Sequence, residues 1–345
     1  MALRDEILEQ PAAAARLLAA SDASFAPVRE MLARRRPRFA VIAARGSSDN
    51  AALYAQYLFG IRNRLAVALA TPSAITLYGA RPDYSEALVI AISQSGRSPD
   101  IVAVVDEAQR QGAPTIVLTN DTDSPLAEAA DHAISLEAGP ELATAATKTY
   151  TTELIAVALL SSALDPFSAA EEADLARIPQ LMSAALSTED EARAVAATHA
   201  DRTRCVVLGR GFCYATAREW ALKLQEMAQL LAVPYSTADF EHGPMALAER
   251  GFAVLAVAPH GPPLDAQMDV LERLRDVHGA HVLVISDDAA ARAIDRGLAV
   301  PEGVPGWLAP VVDILPGQLY AYHLTRARGL DPDRPRTISK VTETT

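Results

Sequence analysis

The chain has 345 residues, half of them apolar, which exceeds what one ordinary core needs and points to two domains. Its formal net charge of -12 and pI near 5.1 argue against a nucleic-acid surface or an anionic membrane as partner, so an anionic small ligand would need a local site. The amino terminus, MALRDEILEQ, is charged where a signal peptide is apolar, and the most apolar stretch, Ile155 to Leu164, is too short to span a bilayer; the expected location is cytoplasmic.

Residues 1 to about 37 read as helices, the first interrupted by Pro11 and the second ended by Pro37. Phe39 to Ala44 is an unbroken apolar run, the pattern of a parallel strand buried on both faces, followed by the polar loop Arg45 to Asn50 and a helix from Ala51. A second such unit is Ala87 to Ile92, leading into Ser93-Gln94-Ser95-Gly96-Arg97-Ser98 and a helix from about Pro99 to Gln111. A third strand is Thr115 to Leu118. A fourth, His132 to Leu136, runs into Gly139-Pro140-Glu141 and a helix containing Lys148. Alternation of this kind predicts a doubly wound α/β sheet.

The pattern then repeats. A shift of 165 residues lays Ala40-Val41-Ile42 on Cys205-Val206-Val207, Arg45-Gly46 on Arg210-Gly211, and Leu88 to Ile92 on Ala253 to Val257; a shift of 167 lays Gly112-Ala113 on Gly279-Ala280. The expected organisation is N-terminal helices over 1–28, a first domain over 29–165, a helical linker over 166–190, a second domain over 191–330 and a tail over 331–345.

The two copies differ in their loops. The first keeps Ser47, Ser48, Ser93, Gln94, Ser95 and Ser98 at its strand ends, where open α/β sheets bind ligands, whereas the second has Phe212, Cys213, Pro259 and His260. Short hydroxyls, a glycine and a helix start suit a phosphate dianion, although serine- and glycine-rich turns also serve as plain helix caps. Neither GxGxxG nor GxxxxGKS occurs, which disfavours dinucleotides and nucleoside triphosphates. Only Cys205 and Cys213 are present, without metal-ligand spacing; no disulfide, metal or other cofactor is expected.

In the second copy, Glu219, Lys223 and Glu226 share one face of a helix whose opposite face carries Leu224, Met227, Ala228 and Leu231. Such an i, i+4 pair is also what any solvated helix face shows. Of 31 basic residues only Lys148, Lys223 and Lys340 are lysine, and lysine can lose its proton and form an imine where arginine cannot. His242-Gly243-Pro244 follows at a sharp turn.

Ser93-Gln94-Ser95-Gly96, Gly139-Pro140-Glu141 with Thr147-Lys148, Ala221-Leu222-Lys223-Leu224 with Glu226, Glu241-His242-Gly243-Pro244, and Asp331 to Arg336 followed by Lys340 together resemble the sugar-isomerase (SIS) half of glucosamine-6-phosphate synthase. The resemblance covers nearly the whole chain, with the motifs in order. It implies two tandem flavodoxin-like SIS domains, each a parallel sheet sandwiched by helices, with a C-terminal active-site tail. By the same resemblance Ser47, Ser48, Ser93, Gln94, Ser95 and Ser98 hold a sugar phosphate, and Thr144, Ala145 and Ser339 contact the sugar. Glu226 resembles the base that moves a proton between C1 and C2, and His242 the ring-opening acid/base reaching in from a second subunit, hence an expected homodimer. Lys340 resembles the imine-forming amine, with Glu219, Lys223 and Glu141 in support.

Two departures bear on activity. Position 146 is alanine where the synthase has a serine near the sugar. The synthase also carries an amino-terminal glutaminase domain, whereas this chain starts directly in the SIS half and is expected not to draw ammonia from glutamine by itself. Short SIS-only relatives resemble amino-sugar phosphate deaminases. The leading expectation is therefore an isomerase/deaminase converting glucosamine 6-phosphate to fructose 6-phosphate and ammonia. The alternatives are the isomerase subunit of a glutamine:fructose-6-phosphate aminotransferase and a non-catalytic phosphosugar-sensing module.

Overall fold

The computed structural model describes residues 2–340; residues 341–345 of the expected tail lie outside them. Along the chain the elements are α1 (Ala2–Arg34), β1 (Phe39–Ala43), α2 (Gly46–Arg62), β2 (Ala66–Leu69), α3 (Pro72–Thr76), β3 (Ala87–Ser93), α4 (Pro99–Arg110), β4 (Thr115–Thr119), α5 (Pro125–Glu128), β5 (His132–Ser135) and α6 (Lys148–Leu164). Then follow α7 (Ala169–Ala176), α8 (Ile178–Ala185), α9 (Glu189–Thr198), β6 (Arg204–Gly209), α10 (Cys213–Glu226), β7 (Leu231–Ser236) and α11 (Thr237–Glu241). The series ends with β8 (Ala253–Val257), α12 (Leu264–Asp276), β9 (His281–Ser286), α13 (Ala289–Arg292), β10 (Arg296–Ala299) and α14 (Ala309–Ala327).

Two compact units result. One comprises residues 12–141, 148–173 and 339–340 and holds the parallel sheet β2-β1-β3-β4-β5. Every residue of β3 is buried, and Val41, Val89 and Val117 pack against Ile101, Val104 and Val105 of α4. The apolar run is thus covered on its faces by helices, as expected of a strand central in a parallel sheet.

The other unit comprises residues 2–11, 142–147 and 174–338 and holds the parallel sheet β10-β9-β8-β6-β7. Its core joins Val206, Leu208, Val254 and Val284 to Leu271 and Leu274 of α12. Counting each unit's strands from its own first, both sheets have the doubly wound order 2-1-3-4-5. The duplication read from the sequence is therefore a duplication of topology.

Three expectations need correction. Helix α1 does not break at Pro11. Proline has no N–H for the carbonyl of Ile7, and the side-chain amide of Gln10 donates to that oxygen instead, at 3.0 Å. Helix α2 starts at Gly46 rather than Ala51, so Ser47 and Ser48 sit in its first turn, not in a loop. Helix α10 stops at Glu226; Gln229 turns left-handed (φ 52°), and Leu231, placed by periodicity on the core face, begins β7 and is exposed.

Candidate functional site

At the carboxyl end of the first sheet the strand order reverses between β1 and β3, and the loops after these two strands carry the predicted serines. A reversal leaves a crevice at the strand ends, the usual ligand position in this architecture. Ser93 ends β3, and its hydroxyl accepts the N–H of Gly96 at 3.1 Å. Gly96 has φ 62°, and a Cβ there would overlap the Ser124 hydroxyl, so only glycine closes this turn. Gln94 and Ser95 are half-buried on the same turn. Ser98 stands at the N-cap of α4 without using its side chain as a cap, and the Asp100 carboxylate in that first turn accepts the N–H of Ile101 at 2.9 Å.

Ser47 and Ser48 approach from α2. The Ser48 hydroxyl donates to Oε1 of Glu153 in α6 at 2.7 Å, both residues being buried. With its hydrogen so committed, Ser48 presents an oxygen that accepts, which suits a sugar hydroxyl better than a phosphate. Asp100 in the first turn of α4 is 1% exposed, and Arg45 binds it through two nitrogens at 2.9 and 2.7 Å. That pairing gives the buried carboxylate in the first turn of α4 a counter-charge. Arg45, Asp100 and Glu153 escaped the sequence reading; for Glu153 the only signal was an acidic residue inside an otherwise apolar helix.

Still in this unit, Glu141 and Lys340 come together. The Lys340 ammonium lies 2.7 Å from Oε2 of the fully buried Glu141 side chain. Glu141 also accepts from the backbone N–H and hydroxyl of Thr149, at 3.1 and 2.8 Å, in the first turn of α6. A carboxylate is well placed at a helix N-terminus. Ser339 is exposed beside Lys340.

The other unit holds the carboxylate–lysine face. Lys223 and Glu219 are fully buried, with 3.3 Å between Nζ and Oε1, and Lys223 lies 2.6 Å from Oε2 of Glu226, whose side chain is 24% exposed. Burial alone would lower the Lys223 pKa, but the charges of Glu219 and then Glu226 outweigh it and hold the amine above its usual range. This is not a solvated face: the charged side of α10 is buried. Glu226 is not in apolar surroundings either, since the Lys223 ammonium faces it.

His242 is exposed on the turn after α11 and, among the described residues, makes no hydrogen bond or ion pair to the α10 triad. Thr144 is half-buried and Ala145 buried, in a loop whose Leu142 and Ala143 amides both donate to Glu6 of α1. Glu6 is 5% exposed. Sequence reasoning missed it, because its partners are backbone groups far along the chain.

The shift that superimposes the strands lays Cys213 on Ser48, Asp313 on Lys148 and Gln318 on Glu153. Cys213 Sγ is 3.8 Å from Oδ2 of Asp313. Burial first, then the Asp313 charge, pushes the thiol well above its usual range, which makes it inert. The second sheet therefore lacks the hydroxyl set of the first. No group of three potential metal ligands occurs among the described residues, and none of their helices is long and apolar enough to cross a membrane.

The duplicated fold has counterparts among known proteins. The SIS domain model matches residues 32–163 and 200–327. The glutamine–fructose-6-phosphate aminotransferase (isomerizing) of Pyrococcus horikoshii is 34% identical over 310 residues, 87% of this chain and 51% of that protein. The chain thus spans about half the length of the curated relatives it matches. Among solved structures, the C-terminal domain of glucosamine-fructose-6-phosphate aminotransferase from Francisella tularensis superimposes with a TM-score of 0.88 at 26% identity, covering 96% of this chain and 98% of that one. A protein of Silicibacter pomeroyi assigned as a phosphosugar isomerase gives 0.85 at 35% identity, covering 96% and 99%. With two tandem copies of the matching domain, this chain belongs to the SIS-domain family.

Proposed function

We propose that the chain carries the isomerase reaction of a glutamine:fructose-6-phosphate aminotransferase, in which fructose 6-phosphate and ammonia give glucosamine 6-phosphate and water. The observation that carries this reading is the Lys340 amine held on the buried Glu141 carboxylate, in a chain about one-third identical to such aminotransferases. It displaces ammonia release from glucosamine 6-phosphate as the first reading. The two are one reaction in opposite directions, and the supply of ammonia decides which runs.

In this reading Ser93, Gln94, Ser95 and Ser98, with the start of α4, hold the phosphate, while Ser48 reads a sugar hydroxyl. His242, supplied by a second copy of the chain, moves the proton that opens the ring. The Lys340 amine, its proton passed to Glu141, adds to C2 of the open ketose; water leaves, and an imine forms. Ammonia then replaces the lysine at C2. Glu226 takes a proton from C1 and returns one to C2 while the O1 proton passes to the nitrogen, so the carbonyl comes to C1 and the amine stays on C2. Lys223 stabilises the negative charge that develops on O1 during this transfer.

The test follows product mass in both directions, from fructose 6-phosphate with ammonium and from glucosamine 6-phosphate in water. Interconversion in either direction supports the reading. Exchange of fructose and glucose 6-phosphates with no nitrogen transfer would leave a plain isomerase, and binding without turnover would leave a sensor. Either result sinks the proposal.

A further inference from the structure

The loop between β5 and α6 carries Glu141, Thr144 and Ala145 but has no regular secondary structure from residue 136 to 147. Beyond Leu136, whose N–H bonds to the Thr119 carbonyl at 3.0 Å, its amides have no ladder to bond to, so side chains must fix its path. The first turns of α1 supply them. Both oxygens of Glu6 are engaged: Oε1 accepts the N–H of Leu142, and the N–H of Ala143 lies 3.2 Å from Oε2 and 3.3 Å from Oε1. A carboxylate accepting two adjacent amides fixes both the position and the tilt of that backbone, as one neutral acceptor does not.

The same helix end holds a second segment. The backbone N–H of Leu3 donates to Oδ1 of Asp333 at 2.9 Å, and Asp333 belongs to the tail that leads on to Ser339 and Lys340. Two further contacts anchor this helix end. Arg4 binds Glu189 at the start of α9 through two nitrogens, each at 2.7 Å, and Gln10 donates to Gln318 of α14 at 2.7 Å. Leu3 and Ile7 are fully buried between these polar ties. Four hydrogen-bonded contacts in nine residues, two of them on segments that carry candidate site residues, are more than packing of a terminal helix requires.

We propose that residues 2–10 are a positioning element for the sugar site, Glu6 setting the 142–147 loop and the Leu3 amide setting the carboxyl tail. The inference rests on the functional reading above for its kinetic consequence. Its structural consequence stands without that reading.

The experiment compares the whole chain with Glu6→Ala, Glu6→Gln and Asp333→Ala by amide hydrogen exchange, together with kinetics on fructose 6-phosphate and ammonium. Glu6→Ala is expected to speed exchange over 142–147 by roughly tenfold or more while β6 and β8 keep their protection. It should raise KM for fructose 6-phosphate much more than it lowers kcat, because the resemblance gives Thr144 and Ala145 as sugar contacts. Glu6→Gln, which keeps one acceptor, should recover part of both effects. Asp333→Ala should loosen 331–338 and lower kcat more than it raises KM, because Lys340 lies beyond it.

Unchanged exchange over 142–147 in Glu6→Ala, or equal loosening of β6 and β8, overturns the inference. If the unaltered chain fails to turn over fructose 6-phosphate, the functional reading falls, and the exchange data alone decide this one.

Discussion

Lys340 donates to Glu141 across 2.7 Å, and that same carboxylate accepts two hydrogen bonds from Thr149 at the head of α6. The tail lysine is therefore tied to a fixed, buried acceptor rather than left in solvent. Replacing Lys340 by Ala should lower turnover by about two orders of magnitude or more, the usual scale for losing a covalent or proton-transferring group. Borohydride added with fructose 6-phosphate should label Lys340 irreversibly in the unaltered chain and leave Lys340→Arg unlabelled. A label elsewhere in the chain would remove the imine from the mechanism.

The buried triad of α10 predicts an asymmetric stability response. Lys223→Met removes the ammonium that faces both Glu219 and Glu226, and the Glu219 side chain is fully buried; a loss of about 3–5 kcal/mol is expected from breaking one side of a buried ion pair. Urea unfolding measures it. Adding Glu219→Gln to the same chain should restore part of the loss, and a double variant no better than the single would contradict this account.

Gly96 closes the candidate phosphate loop with φ 62° against Ser124. Gly96→Ala combines a left-handed backbone with an overlap, so a destabilisation of roughly 1–3 kcal/mol is expected. Titration with fructose 6-phosphate should show weaker binding as well. Unaltered affinity would separate this loop from the ligand.

His199 supplies the pH prediction. Burial first, then the Arg202 charge, lowers its pKa from 6.5 to about 4, and Nδ1 lies 2.7 Å from the Tyr320 hydroxyl. Between pH 6.5 and 4 the unfolded chain binds more protons than the folded one. Stability is thus fully present above pH 6.5 and falls toward pH 4, by on the order of 3 kcal/mol from this group. Denaturation at several pH values should show a shallower fall in His199→Gln. An identical slope would place the acid sensitivity in other groups.

Gln10 stands in for the amide that Pro11 lacks and also reaches Gln318. Gln10→Ala should therefore cost about 1–3 kcal/mol, the penalty for leaving a buried acceptor unmet. Changing Pro11→Ala in the same chain restores an N–H for Ile7 and should return part of it, as thermal unfolding would report.

The sequence was most readable where strands are buried on both faces. The runs that became β1, β3, β6 and β8 are continuous apolar stretches, and their repetition at one shift exposed the duplicated topology. The short strands β2 and β10, both at sheet edges, and the edge strand β7 were missed: β2 alternates half-buried with exposed residues, and β7 carries a proline and an exposed leucine. The serine-rich turn after β3 was legible as a strand-to-helix connection, because its glycine and short polar residues cannot continue the apolar run. Whether the Glu219–Lys223 pair faced water or core was not, since the i, i+4 spacing is the same in both cases. Glu6, Arg45 and Glu153 were hidden for another reason. Each acts on a group distant along the chain, and nothing local marks such a pairing.

The burial of Lys223 between Glu219 and Glu226 also restrains how this helix can change over generations. Changing Glu219 or Lys223 one at a time would pass through a chain that has lost one side of a buried ion pair, at a cost of about 3–5 kcal/mol. Glu219 and Lys223 are therefore expected to change together, whereas Glu226, 24% exposed, can change by itself. A descendant that gave up this chemistry would be expected to have exchanged Glu219 and Lys223 together for apolar residues.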